Sequence, residues 1–319
     1  MSLSLKPLDQ QVIVITGASS GIGLATALAA ARQGARLVLA ARSKMTLDEV
    51  VAQINADGGQ AIAVQADIGD RAQVEQIAAA AIERFGQIDT WINDAGVSIF
   101  GRLDEVSDED SQRLFQTNFW GVVYGSLVAL PYLKARGGAL INVGSEVSDA
   151  VIPLQGMYSA SKHAVKGFTD ALRIELDADD SLVSVTLIQP TAVDTPFPER
   201  AANYLSQEPK LPTPMIEPEK VASAILDAAT DPARDVRVGA MSVINTAMAK
   251  VMPSVADAMS KMQMGRQQRD ELPHTREGTL YQGEEVVAGR VHGRGNQNAA
   301  DKDEAMQSNV RDQVQADIH

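Results

Sequence analysis

The sequence predicts an α/β protein built on a doubly wound, parallel sheet of about seven strands with helices on both faces. Short apolar runs rich in β-branched residues alternate with longer Ala- and Leu-rich stretches through about residue 245. A glycine-rich turn separates the first strand from the first helix. Such alternation builds βαβ units, whose strands are parallel. With 319 residues and 45% hydrophobic content, the chain is long enough to bury a large core.

The individual elements follow from periodicity and from the residues that stop them. Gly34, for example, ends the first helix. The predicted strands are 11–16, 37–40, 61–65, 88–93, 139–143, 183–188 and 236–239. The predicted helices are 24–32, one from Thr46, 71–85, about 108–133, 158–176 and 219–229.

The last third of the chain departs from this alternation. Six prolines between Pro196 and Pro218 prevent an uninterrupted helix or strand, and we expect a mobile flap there. The methionine-rich stretch 241–264 is compatible with a helix. The polar sequence beyond Glu277 has few large apolar residues to offset its ordering entropy, so we expect much of it to be disordered. We therefore divide the chain into a catalytic domain at 1–245, a helical extension at 246–275 and a polar tail at 276–319.

Composition excludes several classes of function. The formal net charge of −13, from 28 basic and 41 acidic residues, argues against a nucleic-acid partner. The chain has no cysteine, and its 4 histidines are scattered, so we predict no metal site. No apolar stretch approaches the roughly 20 residues that a membrane-spanning helix needs. We expect a cytoplasmic protein without an integral membrane segment.

A glycine-rich turn follows the first strand, in Thr16-Gly17-Ala18-Ser19-Ser20-Gly21-Ile22-Gly23. Glycines let the backbone approach a pyrophosphate, and the N-terminus of the next helix presents unpaired N–H groups to an anion. The spacing T-G-x-x-x-G-x-G is moderately specific by itself. A tight strand-to-helix turn without a ligand is the alternative. We predict that a dinucleotide binds through Gly17, Ser19, Ser20, Gly21, Ile22 and Gly23.

The second strand ends in Ala40-Ala41-Arg42-Ser43, where enzymes that prefer NAD usually place an acid for the adenine-ribose hydroxyls. Arg42 could instead pair with the 2′-phosphate of NADP, or it could be a solvated residue that opens a loop. At the end of the third strand, Asp67, followed by Ile68, could accept a hydrogen bond from the adenine amino group. A helix N-cap is the alternative role for Asp67. The sequence therefore favours NADP over NAD.

Tyr158 and Lys162 stand at positions i and i+4 of a predicted helix and so share one face. A phenol is a poor base at neutral pH, but a nearby lysine cation and an oxidised nicotinamide would both favour the phenolate. Ser145 ends the strand that precedes this helix, at the sheet edge where ligands bind in open α/β folds. Taken alone, the pair could equally be surface neighbours.

The motifs together resemble the classical short-chain dehydrogenase/reductase family, over roughly residues 8–245. They are the glycine turn, Asn93-Asp94-Ala95-Gly96, Asn118, Ser145 and Y-x-x-x-K, in that order. The resemblance implies a Rossmann-type fold. It implies Tyr158 as general acid/base, Ser145 as a hydrogen-bond donor to the substrate oxygen, and Lys162 on the nicotinamide ribose. Asn118 would anchor a proton-relay water. Further cofactor contacts implied by the resemblance are Asn93, Ala95, Gly96, Tyr158, Lys162, Pro190, Val193 and Thr195.

Two positions depart from the family pattern. The family usually shows N-N-A-G, whereas this chain has Asp94 as the second residue. The loop after the sixth strand usually runs P-G-x-x-x-T, and here Thr191 replaces the glycine. Asn93, Ala95 and Gly96 still match, so we expect the adenosine-side scaffold to be retained. Thr191 alters the backbone beside the nicotinamide, where Pro190, Val193 and Thr195 still match the contacts that the resemblance implies.

The combined prediction is an NADP(H)-dependent oxidoreductase that interconverts a carbonyl and a secondary alcohol on a small molecule. The alternative is an NADP-binding redox-sensing or scaffold protein without physiological turnover. The resemblance also implies a homodimer or homotetramer formed through the helices that carry Asn118 and Tyr158. The stretch 241–264 could wall an apolar substrate pocket, although core packing or a partner contact fits it equally well.

Overall fold

The computed structural model describes residues 4–284 and 289–294. Its centre is a seven-stranded parallel sheet in the order β3-β2-β1-β4-β6-β7-β9, and two further short strands pair separately. The strands are β1 Val12–Thr16, β2 Arg36–Ala41, β3 Gln60–Gln65, β4 Thr90–Asn93, β5 Ile99–Phe100, β6 Gly138–Val143, β7 Val183–Pro190, β8 Ala202–Asn203 and β9 Asp235–Val238. The helices are α1 Gly21–Arg32, α2 Lys44–Ala56, α3 Arg71–Phe85, α4 Asp108–Phe115, α5 Gly121–Arg136, α6 Gly156–Ala178, α7 Pro218–Ala228, α8 Ala240–Val251 and α9 Pro253–Gln263.

The predicted doubly wound, Rossmann-type sheet is confirmed. The central strands are buried along their whole length, because helices cover both faces of the sheet. These strands are β1, β4, β6 and β7. One apolar cluster packs α1, α2 and α7 on one face, and a second packs α3, α5 and α6 on the other. The strand order reverses between β1 and β4, which opens a crevice at their carboxyl ends.

The helix expected at 108–133 is divided, which corrects the sequence interpretation. Helix α4 ends at Phe115, a π-helical turn occupies Gln116–Trp120, and α5 begins at Gly121. The Asn118 side chain lies in this turn and bonds both backbone groups of Val97. A π turn inserts one extra residue into the helix and commonly marks a functional position.

The proline-rich flap contains short regular elements. A 3₁₀ turn covers Pro198–Arg200, and β8 pairs in parallel with β5. Ala201 and Leu205 pack against Phe100 in a small apolar cluster. These contacts hold the middle of the flap over the crevice.

The C-terminal third differs from the expected division. The boundary drawn at residue 245 falls within α8. The expectation of a disordered tail does not hold for 276–284 and 289–294, which pack on the catalytic domain. Leu280, only 1% exposed, joins Val97 and Leu114 in an apolar cluster. The prediction for 285–288 and 295–319 lies outside the described residues.

In the described part of the chain, every helix is either too short or too polar to cross a lipid bilayer.

Replacing Leu280 with Ala should release the segment 276–284. The cavity and the lost apolar contact are expected to cost about 2–4 kcal/mol of local stability, because the leucine is fully enclosed. Hydrogen exchange of amides in 276–284 would measure this loss. Leu272→Ala is the matched control, since Leu272 is 80% exposed. Equal exchange in the two variants would contradict an anchoring role for Leu280.

Candidate active site

A cleft runs along the carboxyl edge of the sheet, over the ends of β1, β2, β4, β6 and β7. Its walls come from the glycine turn, the loops after these strands, the start of α6, the flap and the C-terminal segment. Most of the residues predicted from the sequence line it. They are Gly17, Ser19, Ser20, Gly21, Ile22, Arg42, Asp67, Ile68, Ala95, Gly96, Ser145, Tyr158, Lys162, Pro190, Val193 and Thr195.

The glycine turn brings β1 and β4 close together at the floor of the cleft. Gly17 has a φ of +78°, a left-handed conformation that side chains rarely adopt. A Cβ on Gly17 would lie 2.7 Å from the Cα of Ala95, so the close approach also requires glycine. Helix α1 begins at Gly21, and its N-terminus points into the cleft lined by Ser19 and Ser20. The helix dipole and the backbone N–H groups here attract an anion such as a pyrophosphate. The Gly21 N–H bonds the Arg290 carbonyl at 2.9 Å, so a pyrophosphate at this N–H would replace that carbonyl.

Ser145, Tyr158 and Lys162 meet in the middle of the cleft. Ser145 follows β6 and begins a short 3₁₀ turn, and its Oγ accepts a hydrogen bond from the N–H of Val147 at 3.3 Å. The Tyr158 phenol and the Ser145 side chain line the same cleft and lie close enough to interact. Lys162 Nζ donates to the carbonyl of Val143 at 2.8 Å and lies 5.8 Å from the centroid of the Tyr158 ring. The structure therefore brings the three predicted groups together.

Burial dominates the electrostatics of this group. It raises the pKa of Tyr158, the charges of Asp94 and Glu146 raise it further, and the Ser145 side chain opposes them. Burial also lowers the pKa of Lys162 to about 8, against the opposing effect of Asp94. In this arrangement Tyr158 is a neutral phenol at pH 7, able to donate a proton.

Asn118 stands behind the cleft and is fully buried. Its Nδ2 donates to the Val97 carbonyl at 2.9 Å and to Ser161 Oγ at 3.2 Å, and its Oδ1 accepts from the Val97 N–H at 2.8 Å. Ser161 in turn bonds the carbonyl of Tyr158 at 2.7 Å. These bonds connect the π turn, the loop after β4 and the first turn of α6.

Asp94 has a defined place in the structure although it departs from the family pattern. Its Oδ2 lies against Gly23, where a Cβ would meet it at 2.8 Å, and it lies close enough to Lys162 to interact with its charge. Desolvation raises the pKa of Asp94 to about 7, while Lys162 and the Gly23 backbone oppose the rise. The site therefore holds an additional group that titrates near neutral pH.

Thr191, the second departure, is accommodated without backbone strain. Its φ is not in the left-handed region, where a β-branched residue would be disfavoured. Its N–H bonds the Val238 carbonyl at 3.0 Å, and its hydroxyl donates to Glu146 at 3.0 Å. Glycine is therefore not required at this position.

Asn93 and Gly23 occupy positions different from those expected of cofactor contacts. The Asn93 side chain faces the sheet interior, where it donates to Asn142 Oδ1 at 2.8 Å and accepts from Trp91 Nε1 at 2.8 Å. Gly23 lies under the turn, where a Cβ would meet the Gly17 carbonyl oxygen at 2.4 Å. Both support the floor of the cleft from behind.

At the adenosine end of the cleft, Arg42 and Asp67 are hydrogen-bonded to other residues of the protein. The Arg42 guanidinium donates to the carbonyls of Thr279 at 2.5 Å and Leu280 at 3.1 Å. Asp67 pairs with Arg113 and accepts from the Gly69 N–H at 2.9 Å. The N-cap of α3 is Asp70, so the capping alternative for Asp67 is wrong.

Sequence reasoning did not identify several residues of the cleft. Glu146 directly follows Ser145, and this adjacency was the only local signal for it. Its hydrogen bonds with Thr191 and Asn245 join residues far apart in the sequence, so the sequence could not reveal them. Phe197 stacks at a tilt on Tyr158, with ring centroids 5.4 Å apart. Residues from the C-terminal segment complete the wall, and no sequence signal pointed to them. They are Thr279, Gly283 and Glu284.

Comparisons with known proteins agree with this geometry. A family model described as short chain dehydrogenase matches residues 11–204. An uncharacterized oxidoreductase, YxnA of Bacillus subtilis (strain 168), is 44% identical over 284 residues, covering 88% of this chain and 80% of that protein. With that coverage the match extends beyond residue 245, into the region of α8 and α9.

Two solved structures are similar as well. An alcohol dehydrogenase from the archaeon Thermococcus sibiricus, complexed with 5-hydroxy-NADP, is 31% identical with a TM-score of 0.63, covering 72% of this chain and 94% of that chain. A short chain dehydrogenase/reductase from Burkholderia phymatum, in complex with NAD, is 27% identical with a TM-score of 0.68, covering 84% and 99%.

The chain therefore belongs to the short-chain dehydrogenase/reductase family of NAD(P)-dependent oxidoreductases.

Replacing Asp94 with Asn should stabilise the protein above pH 7. The pKa of Asp94 is raised on folding, so the carboxyl destabilises the fold progressively as pH rises from about 4 to about 7. Asn keeps a side-chain oxygen beside Gly23 and removes the charge. We expect a gain of about 1–3 kcal/mol at pH 8, because each pKa unit is worth about 1.4 kcal/mol.

Thermal unfolding of both proteins at pH 5 and pH 8 would measure this gain. The gain should be smaller at pH 5, where Asp94 is still protonated in the folded protein. A gain that is independent of pH would contradict the buried-charge explanation.

Proposed function

We propose that the protein is an NADP(H)-dependent oxidoreductase that interconverts a carbonyl and a secondary alcohol, with Tyr158 as the general acid/base. The carrying observation is that the hydroxyl groups of Ser145 and Tyr158 line one cleft, with the buried Lys162 Nζ 5.8 Å from the centroid of the Tyr158 ring. A substrate oxygen between the two hydroxyls would receive two hydrogen bonds where negative charge develops.

The residues of the cleft fit a nicotinamide dinucleotide. The left-handed Gly17 and the N-terminus of α1 form the cradle for a pyrophosphate. Ala95 and Gly96 would contact the adenosine side, and Lys162 the nicotinamide ribose. Pro190, Val193 and Thr195 would surround the nicotinamide. When bound, the cofactor would accept or deliver the hydride of the reaction.

Side chains of the protein would transfer the proton and bind the substrate oxygen. In carbonyl reduction, neutral Tyr158 donates its proton to the oxygen as the alcohol forms, and Ser145 holds that oxygen. Lys162, charged below about pH 8, stabilises the phenolate that remains. In alcohol oxidation the same groups act in reverse. Asn118 would position the first turn of α6 through Ser161 and so orient Tyr158.

A second cavity supports an apolar substrate. It adjoins the cleft through Glu146, Ile152 and Thr191, which line both. Helices α8 and α9 form its far wall with methionines, whose flexible side chains adapt to varied apolar surfaces. The methionines are Met241, Met248 and Met259. We infer a bulky, apolar carbonyl compound as the substrate class.

Preference for NADP rests on Arg42. It directly follows β2 and lines the cleft, and its neighbours in the sequence, Ala41 and Ser43, carry no acid that would repel a phosphate. A 2′-phosphate would replace the carbonyls of Thr279 and Leu280 as the partner of its guanidinium. Glu284 also lines this end of the cleft but pairs with Arg200 at 2.9 Å.

A homodimer or homotetramer formed through the π turn with α5, which carry Asn118, and through α6, which carries Tyr158, is also proposed. Large apolar side chains are exposed on these elements, including Trp120 at 44%, Leu127 at 39% and Ile174 at 63% exposure. Apolar groups in such numbers favour burial against a second subunit. The cytoplasmic location and the lack of a nucleic-acid partner remain predictions from composition.

Replacing Tyr158 with Phe should reduce kcat by several orders of magnitude while leaving NADPH affinity within a few fold. The phenol supplies the proton, whereas the cofactor is held mainly by backbone groups. Steady-state reduction of a panel of apolar ketones and aldehydes, together with NADPH fluorescence titration, separates the two effects. Tyr204→Phe is the control, because Tyr204 hydrogen-bonds Asp110 away from the catalytic group. Retained turnover in Tyr158→Phe would refute the assigned role.

Replacing Ala41 with Asp together with Arg42 by Gln should shift the cofactor preference towards NAD. The new carboxylate would repel a 2′-phosphate, and the lost guanidinium would no longer attract it. The test is to measure the Kd of NADP and the Kd of NAD for both proteins. We expect the ratio of the two Kd values to change by about tenfold or more, which is equivalent to about 1.4 kcal/mol. Tighter binding of NAD than NADP by the unmodified protein would contradict the interpretation of Arg42.

A further inference from the structure

Three metal-ligating side chains from distant parts of the chain meet at the base of the flap, where it leaves and rejoins the catalytic domain. Asp194 lies in the loop after β7, Glu217 immediately precedes α7, and His292 lies in the C-terminal segment 289–294. One ligand atom from each lies within 4.8 Å of the other two. Asp194 is buried, while Glu217 and His292 are half-buried. The cluster is separate from the catalytic group of Ser145, Tyr158 and Lys162.

The imidazole of His292 is oriented by a fourth residue. Its Nε2 lies 2.9 Å from Oε1 of Glu219, and its Nδ1 lies 3.4 Å from Oε2 of Glu217. A proton on Nε2 donated to Glu219 makes Nδ1 the lone-pair nitrogen, directed to the side where Glu217 stands. Metal-bound histidines characteristically donate their other N–H to a carboxylate in this way.

We propose that Asp194, Glu217 and His292 bind a divalent transition metal, with Zn²⁺ as the best match. An imidazole nitrogen and two carboxylates suit Zn²⁺, and three protein ligands leave a fourth tetrahedral position for water. Two donors about 2.1 Å from one ion in tetrahedral geometry lie roughly 3.4 Å apart, which matches the separation of Nδ1 from Glu217. Glu219 is the positioning residue that fixes the tautomer of His292.

Charge also favours a divalent cation at this place. Three carboxylates, from Asp194, Glu217 and Glu219, converge on one imidazole. A divalent ion would balance two of their charges. Bringing like charges together is unfavourable unless a cation compensates them.

The surrounding backbone is shaped to seat this segment. A Cβ on Gly293 would lie 2.5 Å from the Thr195 carbonyl oxygen and 3.1 Å from Asp194 Oδ1, so only glycine allows His292 to sit this close. On the other side of His292, the Arg290 carbonyl accepts a hydrogen bond from the Gly21 N–H at 2.9 Å. A bound ion would therefore hold segment 289–294 against the start of α1, at the edge of the dinucleotide cleft.

The direct test is metal binding by the full chain. The metal-free protein, dialysed against chelator, is titrated at pH 7.5 with Zn²⁺ in competition with a chromophoric chelator, and Co²⁺ provides a visible absorption spectrum of the site. We expect one Zn²⁺ per chain and a Co²⁺ spectrum of tetrahedral type. His292→Gln should lose about 100-fold or more in affinity, and Glu219→Gln about 10- to 100-fold.

His274→Gln is the matched control, because His274 Nδ1 also lies 3.2 Å from a carboxylate, that of Glu208, outside the cluster. It should bind Zn²⁺ like the unmodified protein. Zinc should also slow tryptic cleavage after Arg290 and Arg294 in the unmodified protein and in His274→Gln but not in His292→Gln. Circular dichroism confirms that each variant is folded.

Substoichiometric, weak Zn²⁺ binding by the unmodified protein would overturn the proposal. Equal affinity in His292→Gln, or loss of zinc in His274→Gln instead, would place the metal elsewhere and would also overturn it. Neither result depends on catalytic turnover, so the proposed oxidoreductase activity is tested independently.

Discussion

A buried network of amide and hydroxyl groups holds the active site together. Asn93 on β4 donates to Asn142 on β6 and to Ser126 on α5, and Asn142 donates to Thr169 on α6. All four side chains are buried, and an unsatisfied polar group at such depth would cost about 1–3 kcal/mol. The network can be satisfied only when both helices pack in one position on the sheet. That position sets where the first turn of α6 presents its side chains to the cleft.

Enclosure of the catalytic group has electrostatic consequences. Lys162 is almost fully buried, and its ammonium is supported by the Val143 carbonyl and by the negative charge of Asp94. The same enclosure raises the pKa values of Tyr158 and Asp94. Desolvation favours the neutral form of each group, so small changes in charge have large effects on proton position. A positively charged nicotinamide would be such a change.

The C-terminal segment forms part of the cleft wall. Its backbone carbonyls engage Arg42 at one point and the N–H of Gly21 at another, both on the dinucleotide side. Leu280 fixes one end of the segment in an apolar cluster, and the carboxylates around His292 surround the other. A dinucleotide that bound Arg42 and the Gly21 N–H would have to replace these internal partners.

The sequence by itself determined the parallel α/β fold and the order of its elements, because hydrophobic periodicity and glycine placement are local signals. It also indicated Tyr158, Lys162 and Ser145, since fixed spacing along one helix and one strand end constrains them to the same edge. Only the tertiary structure decided the π turn at Asn118, the inward orientation of the Asn93 side chain and the packing of Leu280 in an apolar cluster. It alone brought His292 to Asp194 and Glu217. These features depend on contacts between residues that are far apart in the sequence, and such contacts leave no local pattern. For this reason a histidine that stands alone in the sequence, His292, can still join a cluster of metal-ligating side chains.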